Sequence, residues 1–148
     1  MDIEQLREEI EADEGNVPEI YLDHLKLPTF GIGHLIKKTD QEYGMPVGTA
    51  VSRKRINSCF NDDILGTIED CEKLYKDFYK LPEEVKLILC NMMYNLGYTR
   101  LSKFSKLKKA INDNNWEEAS KQMHQSKWRV QVPNRAERLI NRMKAVGA

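Results

Sequence analysis

The stretch DEGNVPEIYLDHLKLPTFGIGHL, Asp13 to Leu35, switches periodicity within two residues, and that switch constrains the fold more than any other feature. Before it, Ile3, Leu6 and Ile10 recur at near-helical spacing with acids between them, which predicts a helix over 2–13. Glu14-Gly15 stops that helix, because glycine readily takes the left-handed conformation that closes a helix end. After it, Ile20-Tyr21-Leu22 and Leu27-Pro28-Thr29-Phe30 read as short strands around a tight turn, so 17–36 is expected to be a hairpin or a three-stranded sheet. Gly31 and Gly33 let the backbone turn sharply or approach a neighbour closely. Pro28 has no N–H to give, so its strand is expected at an edge.

The same stretch holds two carboxyls in unlike surroundings. Glu14 sits at a helix C-terminus, where partial negative charge disfavours a second one and biases the group toward keeping its proton, as a general acid must. Asp23 lies at a turn, where a carboxylate stays solvated and ionised. One protonated and one ionised carboxyl is the arrangement that hydrolysis of a glycosidic bond uses.

Downstream the pattern is helical. Ser52 is a candidate N-cap, and Ile56, Phe60, Ile64, Ile68 and Cys71 recur at three or four as one long helix to about Tyr75, with Gly66 weakening its middle. Leu81-Pro82 opens another helix whose body, VKLILCNMMYNL, is apolar nearly all round, which predicts a central position; Gly97 stops it. Phe104, Leu107 and Ile111 mark a short helix, Trp116, Ala119 and Met123 a second, and Ala136, Leu139, Ile140 and Met143 a last one behind Pro133. Trp116 and Trp128 are assigned to core packing, and the 37–51 loop shows no chemistry.

A length of 148 residues suits one folding unit with two lobes. Charged residues at 31% and apolar ones at 41% indicate a globular chain. No apolar run reaches the ~20 residues of a membrane span. The N-terminus lacks the basic start and apolar middle of a secretory signal, so synthesis and folding in a cytoplasm are expected, with no signal peptide. Cys59, Cys71 and Cys90 read as reduced core thiols. No cysteine or histidine has metal-ligand spacing, so neither metal nor cofactor is expected. Residues 1–70 carry 7 basic and 15 acidic side chains, residues 71–148 carry 16 and 8. Two readings follow: charge-complementary packing of two lobes, or a basic surface for an anionic polymer, cell wall or nucleic acid.

Asp-Glu-Gly, then Tyr-x-Asp, then Thr-x-Gly-x-Gly-His, followed much later by Trp128–Arg138 (WRVQVPNRAER), resembles the T-even phage lysozyme family, glycoside hydrolase family 24. The resemblance runs from about Ile3 to Arg142. It implies an α+β, mostly helical, two-lobed lysozyme-like fold. A small antiparallel sheet lobe would occupy about 15–60, a long connecting helix about 52–75, and a helical lobe about 76–148 with helix 2–13 packed on it. It implies an N-acetylmuramidase that cuts the β-1,4 bond between N-acetylmuramic acid and N-acetylglucosamine in peptidoglycan, with inversion, for host cell lysis. Glu14 would be the acid, Asp23 the base side, and Thr29 would position water.

By the same resemblance Leu35, Tyr94 and Asn95 would line a sugar cleft between the lobes, as would Leu107 and Gln122, which differ in type from the best-known members. Arg135 would pair with Glu14, Arg138 with Asp13, and His34 with Asp63, the last as a stabilising ion pair. Lys26 stands where the family often has glycine, and Leu25 where some members are acidic. A monomer is implied, with peptidoglycan as partner, no nucleic acid and no membrane insertion. It would be made in the bacterial host cytoplasm, released by a holin, and act at the periplasmic wall. The rival readings are a non-catalytic wall-binding or tail-associated module on the same fold, and a basic nucleic-acid binder built on residues 97–144, which the acidic first half disfavours.

Overall fold

The computed structural model describes residues 1–148. The chain runs α1 (Ile3–Glu14), β1 (Val17–Leu22), β2 (Pro28–Gly31), β3 (His34–Leu35), α2 (Arg53–Leu74), a 3-10 turn at Phe78–Lys80, α3 (Glu83–Leu96), α4 (Tyr98–Leu101), α5 (Ser105–Asn112), α6 (Trp116–His124), α7 (Lys127–Gln131) and α8 (Pro133–Val146). This is the expected α+β class, mostly helical with one small antiparallel sheet. Two compact units are formed, Arg7–Gly66 and Met1–Leu6 with Thr67–Ala148. The division falls inside α2 after Gly66 and inside α1 after Leu6, so only the start of α1 groups with the helical unit.

In the sheet unit the strand order is β1-β2-β3, antiparallel throughout. Pro28 therefore opens the central strand and not an edge strand as its missing N–H suggested. It is tolerated there as the first residue of the strand, where it still accepts through its carbonyl from the Ile36 N–H at 3.0 Å. The free side of β1 is covered by the end of the 37–51 loop: Ile20 N–H donates to Thr49 O at 2.9 Å and Val51 N–H to Pro18 O at 2.9 Å. Ile10, Ile20, Phe30, Ile56 and Phe60 are buried here. Ser52 Oγ accepts from the Arg55 N–H at 3.1 Å, capping α2 as its residue type predicts. A Cβ on Gly66 would meet nothing within 4 Å, so no close approach explains that glycine.

In the helical unit α3 is the centre. Val85, Leu87 and the run Ile88–Met93 are buried, and α8 packs on both α3 and α6. Asn115 Oδ1 accepts from Glu118 N–H at 3.1 Å and Ser126 Oγ from Arg129 N–H at 3.3 Å, which starts α6 and α7. The four-residue α4 and five-residue α7 carry too few turns to show a periodicity in sequence. The cysteines are free and buried, with the thiols of Cys71 and Cys90 in mutual contact. Trp128 is fully buried; Trp116, at the start of α6, is only half-buried.

Candidate active site

Glu14 is the last residue of α1, and the N–H of Gly15 (φ 78) donates to Glu11 O at 2.8 Å to close the helix. Its half-buried carboxyl rests on the turn between β2 and β3. A Cβ added to Gly33 (φ 64) would lie 2.6 Å from Glu14 Oε1, so only glycine lets the two come together.

Asp23 begins the β1–β2 turn. Its Oδ1 accepts from the Leu25 N–H at 2.8 Å and the Leu27 N–H at 2.9 Å, while Lys26 N–H donates to the Asp23 carbonyl at 2.8 Å. Local side-chain capping of this kind is why aspartate favours turns. Both side-chain bonds fall on Oδ1, which leaves Oδ2 open to a water molecule. Lys26 takes the left-handed conformation (φ 62), the reason glycine suits that position.

Thr29 is buried in the central strand and donates its hydroxyl proton to Leu27 O at 2.9 Å. The register sets Tyr21 opposite Thr29 and Thr29 opposite Leu35, so these three side chains form a row across one face of the sheet. Leu35 is exposed at the end of that row. Tyr21 is the member that sequence reasoning passed over. Burial pushes its phenol above the usual range, and the charges of Glu14 and Asp23 push it further. One phenol thus feels both carboxyls. The Tyr-x-Asp spacing was the available signal, read only for its aspartate.

His34 is buried and held from both sides. Its Nδ1 lies 2.7 Å from Asp63 Oδ2 and its Nε2 2.8 Å from Asp40 Oδ2. Burial opposes charge on the ring, but the hydrogen bonds to Asp63 and Asp40 overcome it and raise its pKa above 6.5. Asp40 in turn sits 3.3 Å from Arg55, whose guanidinium grips Glu42 through Nε and Nη2, each at 3.0 Å. The 37–51 loop, silent in sequence, therefore supplies two carboxylates to a buried polar cluster. No local pattern marks them, because their partners lie on β3 and α2.

The remaining expected site residues, Asp13 apart, belong to the helical unit. Asn95 Oδ1 accepts from the Trp128 indole N–H at 2.8 Å; Tyr94 beside it is half-buried. Leu107 and Gln122 line a pocket of about 590 Å³, together with Leu96, Phe104 and Trp128. Tyr94 and Asn95 are not part of its wall. Arg135 is buried on α8 and donates from Nε to Asn91 Oδ1 at 2.8 Å, so Asn91 is a satisfied core amide. Arg138 is exposed on the same helix, and Asp13 is the penultimate residue of α1, in the sheet unit. No helix is long and apolar enough to cross a membrane.

Known proteins are similar to this chain over nearly all of its length. The chain is 30% identical to Probable T4-type lysozyme 2 of Dictyostelium discoideum over 94% of its own length and 93% of that protein. It is 26% identical to Probable T4-type lysozyme 1 of the same organism over the same shares. It is 25% identical to the pre-baseplate central spike protein Gp5 of Enterobacteria phage T4, over 90% of this chain and 26% of that protein. Residues 11–145 match the family model described as phage lysozyme, and the chain belongs to that family of glycosidases.

Proposed function

We propose that this chain is an N-acetylmuramidase that hydrolyses the β-1,4 bond between N-acetylmuramic acid and N-acetylglucosamine in bacterial peptidoglycan, with inversion at the anomeric carbon. The observation that carries the reading is geometric: Glu14 rests against Gly33 on the β2–β3 turn, Asp23 opens the β1–β2 turn of the same three-stranded sheet, and the buried hydroxyl of Thr29 lies in the strand that joins the two turns.

In the proposed mechanism Glu14 protonates the leaving oxygen. A water on the opposite face of the sugar gives one proton to Asp23. Thr29 has already donated its hydroxyl proton to Leu27 O, so toward that water it acts only as an acceptor. With one proton aimed at Asp23 and the other at Thr29, the water's lone pair points at the anomeric carbon. Inversion requires the two carboxyls to stand about 6.5–9.5 Å apart, leaving room for that water. Arg135 pairing with Glu14, Arg138 with Asp13, and Leu35, Tyr94, Asn95, Leu107 and Gln122 contacting sugar or its substituents complete the proposal. Host cell lysis from the cytoplasmic side, with holin-assisted release and a monomeric enzyme, is the biological setting. Similarity to a spike protein favours a second setting, local wall opening by a tail-associated module.

The test is the rate at which permeabilised Gram-negative cells clear with wild type, Glu14→Gln and Asp23→Asn, and the anomer released, followed by NMR. Loss of an acid or base contributes about 10²–10⁴-fold. Clearing by Glu14→Gln at the wild-type rate, or a first-formed β-anomer, overturns the assignment.

A further inference from the structure

In the sheet unit, the face that forms the core runs out of cover at one end. Phe30 and His34 pair across β2 and β3 and are buried. Two residues on, toward the β1–β2 turn, strand alternation returns Pro28 and Ile36 to that face. The register sets Leu22 opposite Pro28, and the Ile36 N–H donates to Pro28 O at 3.0 Å, so Leu22, Pro28 and Ile36 form one row. The turn beyond the row adds Leu25 and Leu27. Leu22, Leu25 and Leu27 are 49%, 56% and 41% exposed. Single exposed apolar side chains are ordinary on a protein surface, but a contiguous group marks a contact. Cations stand at the same end. Lys26 lies in the turn, and Lys37 and Lys38 follow Ile36 directly; all three are exposed. The acids that follow them in the chain are engaged elsewhere, Asp40 with His34 and Arg55, and Glu42 with Arg55. At the tip itself the carboxylate of Asp23 stands against three ammonium groups.

We propose that this tip is a peripheral docking surface for an anionic lipid bilayer, with Leu22, Leu25 and Leu27 entering the headgroup region and Lys26, Lys37 and Lys38 meeting lipid phosphates. The inference goes beyond the hydrolase reading and stands without it. Charge selects the occupant. A second copy of the chain would bring the same ammonium groups face to face. A soluble anionic polymer matches the lysines but leaves the leucines in water. A surface charged outside and hydrocarbon within matches both. Lysine suits that boundary, because its stem lies along apolar surface while its ammonium reaches the charged layer. The contact is peripheral, since no helix is long and apolar enough to cross a membrane. The row Tyr21–Thr29–Leu35 lies on the opposite face of the sheet, so lipid along Leu22–Pro28–Ile36 does not cover it.

The test is co-sedimentation of the full chain with vesicles of phosphatidylcholine alone and of phosphatidylcholine mixed equally with phosphatidylglycerol. Wild type should bind the mixed vesicles, less tightly as salt rises, and bind phosphatidylcholine at least about tenfold more weakly. A cation at an anionic surface is worth about fivefold in partitioning, so Lys37→Gln with Lys38→Gln should weaken binding roughly 20-fold. Leu25→Ser with Leu27→Ser, at exposed positions, should weaken it by about tenfold or more at unchanged Tm. In Leu25→Trp the added indole should shift its emission to the blue on the mixed vesicles and be quenched by brominated acyl chains. Because residues 71–148 are themselves basic, Lys121→Gln with Lys144→Gln is the control and should leave binding near the wild-type level. Loss in that control equal to the loss in the Lys37 and Lys38 pair, no effect of the leucine pair, or no shift in Leu25→Trp overturns the inference. So does absence of wild-type binding to the mixed vesicles at low salt. Equally tight binding to inorganic polyphosphate would assign the lysines to a soluble polymer instead, and a dimer in sedimentation that the leucine pair dissociates would assign the tip to a second copy; either result also overturns it. Clearing of permeabilised cells is read separately, so its failure would defeat the hydrolase reading alone.

Discussion

Alanine at Gly33 separates the positioning of Glu14 from the stability of the turn that positions it. Gly31 and Gly33 share the left-handed conformation, φ 62 and 64, so alanine at either carries the same backbone strain of about 1–2 kcal/mol. Their surroundings differ. At Gly31 a Cβ would lie 2.8 Å from Ile56 Cγ2, in the core; at Gly33 it would lie 2.6 Å from Glu14 Oε1. Ordinary contact begins at 3.4 Å, so the Glu14 carboxyl must retreat by roughly 0.8 Å in Gly33→Ala. A displacement near 1 Å costs on the order of 10²-fold in rate. Gly33→Ala should therefore clear permeabilised cells about 100-fold more slowly, while Gly31→Ala loses more stability but less than about tenfold in rate. Rates are compared at a temperature where circular dichroism shows both variants folded. Equal losses of rate in the two, or a wild-type rate in Gly33→Ala, would show that this turn does not hold the carboxyl.

Three further outcomes follow from the same geometry. Lys26→Gly should raise stability by about 0.5–1 kcal/mol, the relief of left-handed strain less the added freedom of the unfolded chain, measured by urea denaturation. Gly66→Ala, inside a helix with open space around it, should stabilise by up to about 1 kcal/mol; a lowered Tm would mean the glycine has a role that space alone does not reveal. For His34 the sign is set by its raised pKa: the stabilisation is complete below pH ~6.5 and fades as pH rises through the folded value. Asp40 and Glu42, held low against burial by hydrogen bonds, Glu42 chiefly through Arg55, stabilise above their unfolded values and stop doing so as pH falls through the folded ones. His34→Asn should thus cost about 2–3 kcal/mol near pH 6 and progressively less toward pH 9, and a cost that grows with pH would contradict the ion-pair reading.

Much of this protein is written in short-range pattern. The end of α1 at Glu14-Gly15, the turn at Asp23, the cap at Ser52 and the apolar body of α3 depend on residues within a turn or a strand of one another, and these emerge from the sequence unaided. The row Tyr21–Thr29–Leu35 does not, since it exists only through the pairing register of three strands. Tertiary structure decided what sequence distance concealed. Asp40 and Glu42 look like solvated loop acids until Arg55 and His34 arrive from α2 and β3. Pro28 looks like an edge residue until β3 pairs on the far side of its strand. Lys37 and Lys38 look like scattered surface charge until β3 sets them beside the β1–β2 turn. A side chain's type sets what it is able to do; its partners, and so its energy, exist only after the chain has closed on itself.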